Sequence, residues 1–159
     1  MKYLLPAHNL YGNEPMPLDF PDGWDVHVCS YRGAGAPKLS YREIYDRIAS
    51  PDDGTPSILE GARGKKDAVI IFDDITRPTP CEEIAKALIA QLEEAGIPRN
   101  KIRFVCAVGA HRAMGREEFV RKLGEDIVSE FRIYNHNPFF NCVKVGVSDE
   151  GYDVELNAE

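Results

Sequence analysis

The chain has 159 residues, a formal net charge of −7 and a sequence pI near 5.1. That length suits one domain around one core, and the acidic balance excludes a partner held by phosphate neutralisation, because nucleic-acid binders carry a clustered basic footprint. No run approaches the roughly 18 apolar residues of a membrane span, and the opening MKYLLPAHNLYGNEP has too short an apolar stretch for a secretory signal, so a cytoplasmic protein is expected.

Residues 1–40 are rich in Gly and Pro and contain one predicted strand, WDVHVCS at 24–30, placed on the outside of the sheet. Ser40 and Glu43 form an S-x-x-E capping box ahead of Tyr41, Ile44, Tyr45 and Ile48 at helical spacing, and Pro51 ends that helix. The run to Lys66 is a loop with one helical turn around Ile58 and Leu59. From Asp67 the pattern turns regular: strand AVIIFDD, helix 81–95, a stop at Gly96, strand KIRFVCAVG, a helix from about Gly115, and strand FRIYNH. Thr79-Pro80-Cys81-Glu82 predicts a capping box with Pro at the first helical position. Ile84, Leu88 and Leu92, with Ala85 and Ile89 beside them, form the predicted buried face. The tail has two β-rich runs around Ser148–Gly151 and is expected to be a hairpin. Strands separated by helices of these lengths predict an α/β fold: a three-layer, Rossmann-like parallel sheet flanked by helices, with right-handed crossovers and a C-terminal β-hairpin. Cys29, Cys81, Cys106 and Cys142 are scattered without a C-x-x-C pair, which argues against zinc or redox motifs, and two lie in apolar runs as reduced core thiols.

In an open parallel sheet, ligands bind where loops leave the carboxyl ends of the strands. One such end carries Asp73, Asp74, Thr76 and Arg77; the next carries Gly109, Ala110, His111 and Arg112. On neighbouring strands about 5 Å apart, the two loops would converge on one small molecule. Arginine offers a planar fork for a carboxylate, and neutral histidine accepts a proton near pH 7. Adjacent side chains on a strand point to opposite sides, so Asp73 and Asp74 are expected to divide, one holding a loop or Arg77 and the other facing the site. The competing reading is a structural salt bridge that pins the loop. His136 follows a third strand and is placed on the same rim; His8 and His27 are ordinary residues. AVIIFDD also resembles the acidic strand of nucleoside triphosphatases, but no G-x-x-x-x-G-K-[ST] loop precedes it, since GARGKK has the wrong spacing. Contiguous aspartates likewise fail the Asp-x-Asp start of haloacid-dehalogenase-type phosphatases.

Taken together, FDDITRPTP, then AVGAHRAMGREEF about thirty residues on, then YNHNP, the sequence resembles the N-terminal domain of the lactate racemase family, whose enzymes use a nickel-pincer nucleotide. The likeness extends to LYG at 10–12 and to the lead-in SPDDGTPSILEGARGKKDAVIIFDD. It implies that Arg77 binds a substrate carboxylate with Asp74 supporting the site, and that His111 is one of two acid–base histidines. The implied reaction is reversible: a histidine removes the hydroxyl proton of an α-hydroxy acid, the α-hydride moves to the pincer, and the ketone receives hydride on its other face. Ala110 stands where Thr is usual and Asn137 where Asp is usual. The chain stops before the family's glycine-rich segment, with its second histidine and cofactor-tethering lysine, and before the nickel-binding histidine and C-terminal domain. The implied cofactor therefore has no metal ligand within this chain. The expectation is one α/β domain, 1–159, that is the N-terminal part of a two-domain protein, works with its own C-terminal domain, and is inactive alone. The alternative is a non-catalytic module that holds a small carboxylate.

Overall fold

A computed structural model describes residues 2–5, 14–30, 32–33, 35–52 and 54–159; His8 and the LYG motif at 10–12 lie outside them. Strands β1 (Lys2–Leu5) and β2 (Met16–Asp19) form an antiparallel pair inside the Gly/Pro-rich region. The strand expected at 24–30 is not formed. Among the described residues no strand pairs with it, and Trp24 and Val28 are open to solvent.

Helix α1 (Tyr41–Ala49) starts at the predicted box, where the Ser40 hydroxyl accepts from the Glu43 amide and the Glu43 carboxylate accepts from the Ser40 amide. The same device, Ser57 with Glu60, starts α2 (Ile58–Ala62), the single helical turn the sequence indicates. Next come β3 (Ala68–Asp73), α3 (Cys81–Glu94), β4 (Ile102–Ala107), α4 (Arg116–Leu123), α5 (Glu125–Glu130), β5 (Arg132–Asn135), β6 (Cys142–Val147) and β7 (Asp153–Asn157). The helix expected from Gly115 is thus two helices, broken where Gly124 adopts φ +84°. The capping box at Thr79 is also replaced. Pro80 is the cap residue and makes no side-chain cap bond, because the Thr79 hydroxyl donates instead to Asp73 Oδ2 at 2.5 Å. An ionised carboxylate is the stronger acceptor in that competition.

The sheet order is β3-β4-β5, all parallel, with Ala68 opposite Ile102 and Asp73 opposite Ala107. Strand alternation sends Ile70, Phe72, Ile102, Phe104 and Cys106 into one core with Ala85, Ile89 and Leu92 of α3 and Phe119 and Leu123 of α4. Phe104 meets Phe72 and Phe131 edge-on, with ring centroids 6.2 and 5.6 Å apart. Of the expected α3 face, Ala85, Ile89 and Leu92 are buried, whereas Ile84 and Leu88 are half-buried beside β3. The opposite sheet face carries Val69, Ile71, Arg103, Val105 and Ala107. The end of β7 stands over it: Arg103 donates to the Glu159 carbonyl, and Leu156 and Asn157 share an apolar pocket with Val69 and Ile71. Helices, parallel sheet and C-terminal hairpin are the architecture the sequence predicts. No helix among the described residues is long and apolar enough to cross a membrane.

Candidate functional site

Strand β3 ends on Asp73, the last of its residues with a partner on β4. The chain then turns, the Arg77 amide donating to the Asp74 carbonyl at 3.1 Å, which is an i→i+3 turn. The turn splits the two carboxylates. Asp74, only 4 % exposed, lies inward. Its Oδ1 accepts from the Thr76 hydroxyl (2.6 Å) and the Thr76 amide (3.2 Å), and its Oδ2 lies 2.6 Å from His111 Nδ1. Burial alone would raise the Asp74 carboxyl, but the Thr76 hydroxyl, the His111 ring and the Thr76 amide outweigh it and hold the group below its ordinary value. An ionised Asp74 accepts only, so His111 donates to it through Nδ1.

His111 reaches this position because β4 ends in a second tight turn. Its amide donates to the Val108 carbonyl at 2.9 Å, and Gly109 takes φ +56°, a conformation that favours glycine. β5 delivers the third loop: the His136 amide donates to the Cys106 carbonyl at 2.9 Å, and Asn135 brackets Met114 by accepting from its amide (2.9 Å) and donating to its carbonyl (3.0 Å). His111 and His136 line one cleft of about 360 Å³ with Gly109, Asn135 and Asn137. Arg77 is exposed on the turn whose carbonyl and carboxylate both belong to Asp74.

The remaining sequence candidates have other tasks. Arg112 makes a two-pronged pair with Glu118 (2.8 and 2.6 Å) beside the start of α4, and with the Gly115 amide it pulls the Glu118 carboxyl down to about 2. Asp73 faces Lys122 of α4, with Oδ1 2.6 Å from the ammonium. It also receives the Thr79 hydroxyl and, at 3.2 Å, the Cys81 thiol. Lys122 was invisible as a site residue in the sequence, although a lysine three positions after buried Phe119 and next to buried Leu123 breaks the apolar face of α4. His27 pairs with Asp25 on the surface at 3.1 Å.

The arrangement offers an imidazole held by a buried carboxylate on the loop after β4 and an exposed arginine on the turn after β3. It does not offer a nucleophilic thiol. Burial pushes Cys81 up to about 11, with the Asp73 bond adding to it, and pushes Cys106 up to about 12. All four cysteines are free thiols. Among the described residues no group of three or more His, Cys, Asp or Glu side chains converges as a metal site.

Residues 11–159 match the sequence profile described as the lactate racemase N-terminal domain. Over 122 residues, 76 % of this chain and 28 % of the relative, the sequence is 37 % identical to a lactate racemase of Lactiplantibacillus plantarum. Over 150 residues, 92 % of this chain and 35 % of the relative, it is 28 % identical to a lactate racemase of Thermoanaerobacterium thermosaccharolyticum. The solved structure of a lactate racemase apoprotein from the latter organism superposes with a TM-score of 0.71 over 99 % of this chain and 36 % of its own, at 24 % identity, which is a likeness of fold. The chain thus spans about a third of the length of the relatives it matches.

Proposed function

The chain belongs to the lactate racemase N-terminal domain family, and from that premise we propose that it is the substrate-facing domain of an α-hydroxy-acid racemase or epimerase. In this reading it is the N-terminal part of a two-domain protein and depends on its own C-terminal domain for turnover. The observation that carries the reading is the 2.6 Å contact between buried Asp74 and His111 Nδ1, on the same Asp74 whose carbonyl closes the turn bearing Arg77. Arg77 pairs its guanidinium with the substrate carboxylate. His111, fixed by Asp74, takes the hydroxyl proton at Nε2 and returns it. Thr76 holds Asp74 in the ionised state that this requires. A nickel-pincer nucleotide, which the family resemblance implies, supplies a hydride acceptor when bound. The described residues contain no cluster of metal-binding side chains to fit it, so this chain's part is to bind, orient and move the proton.

Titration of the chain with lactate, followed by amide chemical shifts, tests the reading. Shifts should map to the loops after β3 and β4, and Arg77→Ala should weaken binding at least about ten-fold, the loss of one charged hydrogen bond of roughly 1.5–3 kcal/mol. Equal affinity in the two proteins would remove Arg77 from the role.

A further inference from the structure

We propose that Lys122 is a positioning residue: from α4 it fixes the turn that carries Arg77, and so aims the guanidinium at its anion. The inference rests on the reading of Arg77 as the carboxylate-binding group. Lys122 has a side chain only 1 % exposed, which is a rare state for an ammonium group. All of its hydrogen-bonding capacity is directed at one segment. Nζ has three protons, and its acceptors are the Asp73 carboxylate at 2.6 Å, the Arg77 carbonyl at 3.0 Å and the Thr79 carbonyl at 3.1 Å.

Two of these acceptors are backbone oxygens that flank the Arg77–Thr79 stretch, and the third is the last residue of β3. The ammonium therefore ties the strand end, the arginine and the start of α3 to one point. The other bonds of the turn each hold a part of it: Arg77 amide to Asp74 carbonyl and Thr76 to Asp74 hold the first half, and the Thr79 hydroxyl and Cys81 thiol join Asp73 to the start of α3. A buried lysine whose sole task was to neutralise Asp73 would need one acceptor. Here two peptide carbonyls complete its shell.

The test uses the 159-residue chain, with lactate and its uncharged analogue lactamide as probes. In the parent chain the amides of Thr76 and Arg77 should be protected from hydrogen exchange, and lactate should bind more tightly than lactamide. Lys122→Met should speed exchange at those two amides at least ten-fold, leave protection at Phe104 intact, and reduce the lactate-to-lactamide preference several-fold, towards that of Arg77→Ala. If Lys122→Met fails to fold, Asp73→Asn, at a site one-third exposed, removes the charge that holds the ammonium while keeping an acceptor oxygen, and should move both readouts in the same direction. Unchanged turn exchange with an unchanged preference, accompanied only by a lower melting temperature, would make Lys122 a merely structural lysine and overturn the proposal. If instead Arg77→Ala keeps the parent preference, the carboxylate reading fails. Exchange at Thr76 and Arg77 then decides whether Lys122 fixes the turn.

Discussion

Asp74 is an acceptor with no donor while it is ionised, and the orientation of His111 depends on that state. In the fold, Asp73 and Asp74 both sit below their ordinary value of 3.8: burial would raise each, and their bonding partners, Lys122 first for Asp73 and Thr76 first for Asp74, overcome it. A carboxyl depressed in the fold stabilises it above the unfolded pKa, and that stability is lost as pH falls through the folded value. The chain should therefore lose stability as pH falls below about 4, and Asp74→Asn should flatten that decline in denaturation curves recorded across the acid range. The same variant presents either an oxygen or an NH₂ to His111, so ¹⁵N shifts of the ring should change from a single Nδ1–H tautomer to a mixture. A ring that stays in one tautomer would show that Asp74 does not set it. The sequence placed these residues at neighbouring strand ends. It did not show which aspartate faces the histidine, because strand alternation holds only up to Asp73 and the turn after it redirects everything that follows. Arg112 was equally unreadable: its nearest carboxylate, Glu118, is brought beside it by the start of α4 and not by proximity in the chain.

Helix boundaries depend on such local competitions, and the break between α4 and α5 is the sharpest. Gly124 takes φ +84° with ψ 155°, a region only glycine occupies readily, and a Cβ there would lie 2.6 Å from the Glu82 carboxyl oxygen. Glu82 is the movable end of a side chain, but it is held by Lys86 at 2.6 Å. Gly124→Ala should then destabilise the chain by roughly 1–3 kcal/mol, mainly from the backbone. Urea denaturation measures this, and pairing the change with Glu82→Ala should recover only the smaller, steric part. Where periodicity is strong, as for α1, β3, α3 and β4, the elements were legible from the sequence, and for α1 the capping box was as well. The antiparallel pair β1–β2 was not, because it is set by pairing between short segments and not by a pattern within either one. The segment 24–30 failed for the converse reason: its alternation is genuine, but among the described residues no strand pairs with it.

At the scale of the whole molecule, the core lies on one face of the β3-β4-β5 sheet, and the hairpin end meets the other face. Phe72 is packed among Phe104 and Phe119, whose ring centroids lie 6.2 and 6.0 Å away, while its neighbour Ile71 is 69 % exposed. Strand periodicity alone assigns these two residues to opposite faces; it cannot say which face is buried, since both are apolar. Packing decides it, because α3 and α4 supply Ala85, Ile89, Phe119 and Leu123 to the Phe72 side, and among these contacts Phe104 is fully enclosed. A pair of substitutions reads the assignment directly. Phe72→Ala should cost about 3–5 kcal/mol, the sum of lost transfer energy and the cavity left among rigid aromatic neighbours. Ile71→Lys should stay within about 0.5 kcal/mol, because the long side chain can lay its stem along the sheet and keep its charge in water. If the two costs were similar, or reversed, the helices would have to lie on the Ile71 face. Strand parity would then turn Ile70, Phe104 and Cys106 to the opposite side as well, and the core described here could not exist.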